Sequence, residues 1–109
     1  MNPESLKGHL DLLLLTALKA QPAHGYALVE RLRERSQGTF DLPEGTIYPA
    51  LHRLEASGVL ASRWSQSSGR RRRVYQLTAK GRRSLEKCNQ EWQLFSRGVE
   101  SVLELRGAP

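Results

Sequence analysis

The four consecutive arginines Arg70, Arg71, Arg72 and Arg73 carry the most specific chemistry in this sequence. A guanidinium group donates two parallel N–H bonds to a phosphate, so an arginine run suits a polyanion. Taken alone, the run fits a solvated surface equally well. Side chains alternate along an extended strand, so Arg71 and Arg73 should point away from Arg70 and Arg72. The alternation leaves open which pair would face a polyanion.

A second group of interacting side chains lies on one predicted helix, the third, over about residues 44–57. Three apolar residues share one side of that helix, because they lie four and three positions apart: Ile47, Leu51 and Leu54. Periodicity alone favours an ordinary amphipathic core helix. The residues that fall on its other sides can hydrogen-bond, stack or bind phosphate: Thr46, Tyr48, Pro49, His52 and Arg53. A phosphate contact is a commoner role for Arg53 than a guanine contact, and Tyr48 has the alternative of capping the core.

The positive charge of the chain is concentrated around these two groups. Lys and Arg outnumber Asp and Glu by 17 to 11 over the whole chain. Residues 44–83 carry nine basic and two acidic side chains, whereas residues 1–43 carry five of each and residues 84–109 carry three and four. A basic field beside a helix with a polar outer side is the electrostatic pattern of a polyanion-binding protein. This pattern outweighs the core-helix interpretation.

Two helices are predicted to precede the third helix. A leucine-rich helix over about residues 6–20 is apolar on more than one side. It is either fully buried or held between its own domain and a second subunit, and the small size of the domain favours the second arrangement. A second helix over about residues 24–36 turns Tyr26, Val29 and Leu32 inward.

The remaining elements up to residue 78 have the order of a winged helix-turn-helix. Residues 40–42 are expected to pair as a short strand, and Pro49 is expected in or near the first turn of the third helix, which ends at Gly58. Two strand-like runs, 59–66 and 72–78, are joined by a basic tip over residues 67–71 that includes Gly69. We therefore predict a mostly α fold with a small β-hairpin, in which the third helix enters the major groove beside the hairpin.

A long final helix is predicted over about residues 79–105, with Thr78 as its N-cap. Its apolar residues recur at gaps of three and four and form a heptad seam: Leu85, Cys88, Trp92, Phe95, Val99 and Val102. The seam can pack against the first helix of its own chain or against a second copy, and the length of roughly 40 Å favours the second copy. The chain thus divides into a winged-helix domain, residues 1–78, and a dimerisation helix, residues 79–109.

No arrangement of residues points to catalysis, a cofactor or a metal ion. His9, His24 and His52 fall in different predicted elements, without an acid or a cysteine at ligand spacing. His24, at a helix start, is expected to cap or pack, and Cys88 is expected to pack in the seam. A single cysteine favours a reducing compartment. The polar N-terminus and short leucine run favour neither a secretory signal nor a membrane span, so we expect a cytoplasmic protein that does not act at a membrane.

The sequence resembles the PadR family of bacterial transcription regulators over about residues 6–105. Four blocks carry the resemblance: His24-Gly25-Tyr26, Glu44-Gly45-Thr46-Ile47-Tyr48-Pro49-Ala50-Leu51-His52-Arg53-Leu54-Glu55, Gly58-Val59-Leu60, and Arg72-Arg73-Val74-Tyr75-Gln76-Leu77-Thr78 followed by Gly81. The short length and single C-terminal helix are similar to its short subfamily. The resemblance implies a homodimeric winged-helix protein, usually a repressor, that binds a two-fold operator in double-stranded DNA through the third helix and the wing.

Some short members of that family are similar in a further respect, because they hold planar aromatic compounds in a cleft at the dimer interface. The resemblance implies that Trp92 flanks such a cleft, with the alternative that it only fills the dimer core. The other residues that would line the cleft are Leu12, Leu15, Thr16, Cys88, Asn89 and Ser96. Acidic residues that could hold a cationic drug are not obvious in the sequence, so the class of the effector stays open.

Two functions are consistent with these patterns. The first is a repressor that contacts DNA through residues 46–53 and through Gly69, Arg70, Arg71 and Arg72 in the wing, and that a small aromatic effector releases. The second is a protein-interaction adaptor, in which the basic hairpin docks an acidic partner. Specific retardation of DNA in a gel would separate the first from the second.

Overall fold

The elements of the described part of the chain are mainly helices, with a small antiparallel sheet before the last and longest helix. The computed structural model describes residue 6, residues 8–67 and residues 69–104. Its elements are α1 (Leu10–Lys19), β1 (Ala23–His24), α2 (Gly25–Arg35), α3 (Glu44–Ala56), β2 (Leu60–Ser67), β3 (Arg70–Leu77) and α4 (Ala79–Leu103). This order confirms the mostly α, winged helix-turn-helix architecture with a long C-terminal helix. The ends of the two predicted domains (1–5 and 105–109) and Ser68 of the predicted tip lie outside the described residues.

The C-terminus of α3 has the hydrogen-bond pattern that the glycine after it predicts. The N–H of Val59 donates to the carbonyl of Leu54 over 3.1 Å, and the N–H of Gly58 donates to the carbonyl of Glu55 over 3.0 Å. Gly58 adopts a φ of 85°, which a residue with a side chain reaches only with strain. The chain therefore leaves α3 at a fixed angle, and residues 57–59 connect this helix to β2.

Side-chain caps begin the two helices that flank the sheet. Thr78 accepts a hydrogen bond from the N–H of Gly81 over 3.0 Å at the start of α4, which confirms the predicted N-cap. His24 accepts from the N–H of Ala27 over 3.2 Å at the start of α2, as expected for a histidine at a helix start. Thr78 follows directly after β3 and His24 is the last residue of β1, so each cap fixes the angle between its strand and its helix.

The sheet has three strands in the order β1-β3-β2, all antiparallel, rather than the two of a simple hairpin. The predicted strand at residues 40–42 is wrong, because this segment forms no ladder and instead buries Leu42 in the core. Its place at the sheet is taken by β1, in which Ala23 pairs with Tyr75 and His24 pairs with Val74. The start of α2 is thereby attached to the strand that carries the arginine run.

The hairpin between β2 and β3 is tighter than predicted. Ser67 pairs with Arg70, so only two residues separate the strands, and Gly69 adopts a φ of 75°. The expectation that Arg70 and Arg71 belong to a loose tip is therefore wrong, since both are strand residues of β3. Strand geometry gives their side chains defined directions.

Three local predictions about the helices are also corrected. The helix predicted from about residue 6 is interrupted: Leu6 is helical, but Gly8 adopts a φ of 89° that an α-helix does not contain, and α1 begins at Leu10. Pro49 is the sixth residue of α3 and lies in its second turn, where its missing N–H leaves the carbonyl of Gly45 without the usual helical bond. Tyr26 does not face the core, because 51% of its surface is exposed.

The core lies where α1, α2 and α3 pack together and against one side of the sheet. Its fully buried side chains come from all of these elements: Leu14, Leu15, Leu28, Ile47, Leu51 and Tyr75. The first turns of α4 reach this core through Leu85, which is buried. Beyond Leu85, α4 carries an exposed apolar side that includes Phe95 and Val102.

Gly81 in the first turn of α4 is expected to be required for stability. A Cβ at this position would overlap the backbone carbonyl of Val59, whereas a Cβ on Gly45 in α3 would meet no atom within 4 Å. We expect Gly81→Ala to lower the free energy of unfolding by about 1–3 kcal/mol, because overpacking outweighs the gain in helix propensity. The matched variant Gly45→Ala should raise it by about 0.5–1 kcal/mol. Urea unfolding monitored by circular dichroism measures both, and a neutral Gly81→Ala would contradict the packing.

Among residues 6, 8–67 and 69–104, no helix is both long enough and apolar enough to cross a lipid bilayer.

Candidate nucleic-acid interface

The outer face of α3 is exposed over the whole length of the helix. Gly45, Pro49, His52 and Ala56 recur at gaps of four, three and four and are all exposed. The buried residues of the helix lie on its opposite side: Ile47, Ala50, Leu51 and Leu54. A helix that is anchored along one side and bare along the other has the geometry needed to enter a groove.

Tyr48 lies beside this face and leans toward the start of α2. Its ring packs so closely on Gly25 that a Cβ at Gly25 would overlap the ring and its hydroxyl. The tyrosine is half-buried. The ring thus closes the edge of the core, while the predicted contact of Tyr48 with DNA stays a prediction.

A cleft of about 510 Å³ separates α3 from the hairpin of β2 and β3, which we call the wing. We call this space the wing–helix cleft. Its walls bring together the start of α2, the first half of α3 and the arginine run: His24, Tyr26, Glu44, Tyr48, His52, Trp64, Arg70, Arg71, Arg72, Arg73 and Tyr75. Among the predicted DNA-binding residues, the cleft therefore has Tyr48 and His52 on one side and Arg70, Arg71 and Arg72 on the other.

Arg71 and Arg73 share one side of the wing and lie against the ring of Trp64. Their guanidinium carbons are 4.5 Å and 5.1 Å from the ring centroid, respectively. Arg73 also donates from Nε to Ser62 Oγ over 2.7 Å and lies 3.7 Å from a carboxylate oxygen of Glu55 at the end of α3. Arg73 therefore joins the wing to α3, while Arg71 remains nearer the tip.

Arg72 points the other way, as strand alternation predicts, and contacts His24. Its Nη1 is 2.8 Å from Nε2 of His24, while Nδ1 of the same ring already accepts from the N–H of Ala27. A neutral imidazole has one accepting nitrogen, so these two donors compete. Burial lowers the pKa of His24, and the nearby charges of Arg72 and Arg31 lower it further. Arg72 is therefore held only weakly by this ring.

Arg53 is placed away from the wing–helix cleft. Its guanidinium donates to the carboxylate of Asp11 on α1, with 2.6 Å between Nη2 and Oδ1. This bond is the main cause that raises the pKa of Arg53. Asp11 engages two of the five N–H donors of Arg53, and the predicted contact of this residue with DNA stays a prediction. Thr46, one of the other predicted contacts, is half-exposed but does not line the cleft.

Several residues of the interface were not found from the sequence. Trp64 is 52% exposed and forms the floor on which two arginines stack, but no periodicity distinguishes it from a core residue. The sequence assigned His24 to a cap without its contact to the wing, and it placed Tyr26 in the core. Only Gly69 could have indicated the position of Trp64 from the sequence, because a glycine favours a two-residue turn. Such a turn sets the strand register in which Trp64 pairs with Arg73.

A family model described as "Transcriptional regulator PadR-like family" matches residues 14–87, which is well over half of the chain. The chain belongs to this family. It is 40% identical over 76 residues to Transcriptional regulator Rv3488 of Mycobacterium tuberculosis, a match that covers 70% of this chain and 68% of that protein. It is therefore a PadR-family transcriptional regulator and not an enzyme.

Solved structures of PadR-family proteins share its fold. A PadR family transcription regulator from Clostridium difficile R20291 superposes with a TM-score of 0.76 at 35% identity, over 88% of this chain and 99% of that one. The PadR family transcriptional regulator from Eggerthella lenta gives 0.80 at 36% identity, over 93% and 87%. These likenesses extend into α4, beyond the part that the family model matches.

A second cleft of the PadR-like fold, of about 310 Å³, lies between α1 and α4. Trp92 lines it, with the ring of His9 at 5.3 Å in an edge-on arrangement and the ring of Phe95 at 6.1 Å. Leu12 and Cys88 also line it, as does Glu91, which the sequence did not single out. We call this space the α1–α4 cleft.

The remaining residues of the predicted effector site are dispersed. Thr16 and Asn89 line a neighbouring depression of about 370 Å³. Leu15 reaches neither space, because it is 1% exposed and belongs to the core; its assignment to the cleft is wrong. Ser96 lines none of these spaces either. Burial, followed by the charges of Glu91 and Asp11, raises the pKa of Cys88, which opposes thiolate formation.

The predicted dimer seam divides at Leu85. Leu85 is buried within its own chain, so it is not free to meet a partner. Cys88 is half-buried, whereas the seam residues further along are exposed: Trp92, Phe95, Val99 and Val102. Leu94 and Leu103 are exposed beside them, which makes the apolar face wider than the heptad pattern predicts.

Proposed function

We propose that this PadR-family regulator is a homodimeric repressor that inserts α3 into the major groove and lays the wing along the flanking backbone. The wing–helix cleft is the observation that carries the proposal. It places an arginine-rich strand beside a helix whose outer face is bare, and DNA presents a groove bordered by phosphates. A surface built for one acidic protein would not need a bare helical face of this length.

The proposal gives different roles to the two sides of the cleft. His52 and Pro49 on the outer face of α3 would meet base edges, with Thr46 and the hydroxyl of Tyr48 at the border of the groove. Arginines at the wing would bind phosphates: Arg70, Arg71 and Arg72. Gly69, which has no side chain, would let the backbone of the tip approach the DNA closely.

Dimerisation would come from the exposed apolar face of α4. Trp92, Phe95, Val99 and Val102 lie along this face, and large apolar side chains grouped in this way mark an interaction surface. In a dimer with two-fold symmetry, the same apolar face of a second copy of α4 would pack against it. The same axis would duplicate α3, which we call the reading helix, so the operator would consist of two inverted half-sites.

The α1–α4 cleft would receive a planar aromatic effector that releases the DNA. Trp92 and Phe95 offer ring faces for stacking, and Glu91 supplies a negative charge at the rim, which favours a cationic aromatic compound. The cleft borders the face assigned to the partner subunit, so a bound effector could alter the spacing of the two reading helices.

Fluorescence anisotropy with the DNA that flanks its own gene tests the proposed function. We expect specific binding, in the range of about 10⁻⁸–10⁻¹¹ M for an operator, and at least 10³-fold weaker binding to a scrambled duplex of equal length. The logarithm of the affinity should fall steeply and linearly with the logarithm of the salt concentration, and we call the gradient of this line the salt slope. Equal, purely salt-sensitive binding to both duplexes would reject the repressor and favour the adaptor that docks an acidic partner.

A further inference from the structure

We propose that Asp11 is a specificity-determining positioning residue, which holds Arg53 against α1 and keeps this cation off the DNA backbone. The inference rests on the proposed function, because it concerns how α3 reads its operator. It assigns a role in DNA discrimination to a residue of α1, a helix that does not itself face the groove.

The contact between the two side chains is bidentate. Nη2 of Arg53 lies 2.6 Å from Oδ1 of Asp11, and Nη1 lies 3.3 Å from Oδ2. Two parallel bonds fix the plane of a guanidinium as well as its position. Both side chains remain partly exposed, at 58% for Arg53 and 37% for Asp11. Because both groups are partly exposed, replacing the carboxylate frees the guanidinium without opening the core.

The position of Arg53 on α3 gives the pair its importance. Arg53 follows His52, a residue of the outer face, and therefore lies at the border between that face and α1. On the other flank of α3, Glu55 lies 3.7 Å from Arg73 of the wing. Each flank of the reading helix thus carries an ion pair within the chain. By contrast, no carboxylate of the described residues lies within ion-pair distance of Arg71 at the wing.

This division of the cations affects specificity. A phosphate contact adds the same affinity for every sequence, whereas base contacts discriminate. An arginine released at the edge of α3 would find a phosphate on any duplex and would strengthen binding to wrong sites. By holding Arg53, Asp11 confines the sequence-independent contacts to the wing and leaves the border of α3 to base readout.

Asp11→Asn in the full chain tests this inference with the same anisotropy assay. We expect binding to a scrambled duplex to tighten by roughly 3- to 10-fold, and the salt slope to steepen by about 1–2, as two freed arginines per dimer bind phosphates. Adding Arg53→Gln to Asp11→Asn should return the slope to the wild-type value. Asp11→Glu, which keeps the carboxylate, should retain the wild-type slope.

The matched control is Glu86→Gln, which removes one negative charge from an exposed position on α4 and should leave the slope unchanged. Arg53→Lys changes the other member of the pair: it keeps the positive charge but cannot form the bidentate contact with Asp11, so it should steepen the salt slope. This variant tests the inference even if Asp11→Asn does not fold. If the wild type binds its operator and the salt slope of Asp11→Asn is unaltered or shallower, this inference alone is overturned. Absence of specific binding by the wild type overturns the proposed function together with it.

Discussion

Replacing Arg71 and Arg72 by alanine is expected to weaken binding to operator and to random DNA alike, by roughly 10²- to 10³-fold at low salt. Each dimer would lose four guanidinium groups that the wing presents beside α3. In the proposed function these groups bind phosphates and read no bases, so the ratio of specific to non-specific affinity should stay nearly constant. The salt slope should become shallower by up to about 0.9 for each lost phosphate contact. Anisotropy titrations between low and physiological salt measure both quantities.

The control for this experiment removes the same number of charges elsewhere. Arg35 lies at the end of α2 opposite to His24, and Arg83 lies on α4, which begins at the end of β3 furthest from the wing tip. Both side chains are exposed. Arg35→Ala/Arg83→Ala should therefore change the slope little. If it matches the wing variant, the binding reflects net charge alone, and the assignment of the wing is wrong.

Phe95→Glu is expected to convert the proposed dimer into a monomer and to reduce operator affinity by about 10²–10⁴-fold. In a dimer, binding of the first reading helix holds the second one beside its half-site, and two separate monomers lose this advantage. Phe95 is 60% exposed in the single chain, so a charge at this position is solvated in the monomer and buried in the dimer. The unfolding of the monomer should change little. Analytical ultracentrifugation over a range of concentrations measures the association, and anisotropy measures the DNA affinity.

Gln93→Glu supplies the matched control, because it introduces the same charge on the same helix but two residues away, outside the apolar residues of the face. This variant should remain a dimer with the affinity of the wild type. A dimeric Phe95→Glu with full operator affinity would show that α4 associates through another surface. A monomeric wild type that still binds one half-site would remove the two-fold operator from the proposal.

Local sequence signals predicted the order of elements well. Gly58 and Thr78 end and begin helices through bonds within a few residues, so their roles follow from neighbouring residue types. The heptad spacing along α4 and the arginine run are likewise local patterns. The same logic failed at residues 40–42, where strand propensity had no neighbouring strand to pair with, and the two-residue strand β1 was too short to give a signal.

The chemistry of the candidate site depended on contacts between distant parts of the chain. The sequence identified Arg53 as a cation on the reading helix, but its pairing with Asp11 joins residues 42 positions apart. The predicted hairpin tip over residues 67–71 would have shifted the pairing of the two strands by one residue, so that Trp64 would no longer pair with Arg73. A shift of one residue turns every side chain of a strand to the opposite face of the sheet.

The sequence by itself therefore determined the elements, the concentration of positive charge around α3 and the wing, and the apolar face of α4, because each is a pattern of neighbouring residues. Only the tertiary structure decided which arginines are free to bind and which are held. Arg53 and Arg73 meet carboxylates of other elements, while Arg72 meets an imidazole that already accepts a bond. The physical reason is that an ion pair depends on distances of a few ångströms across the fold, which spacing along the chain does not specify.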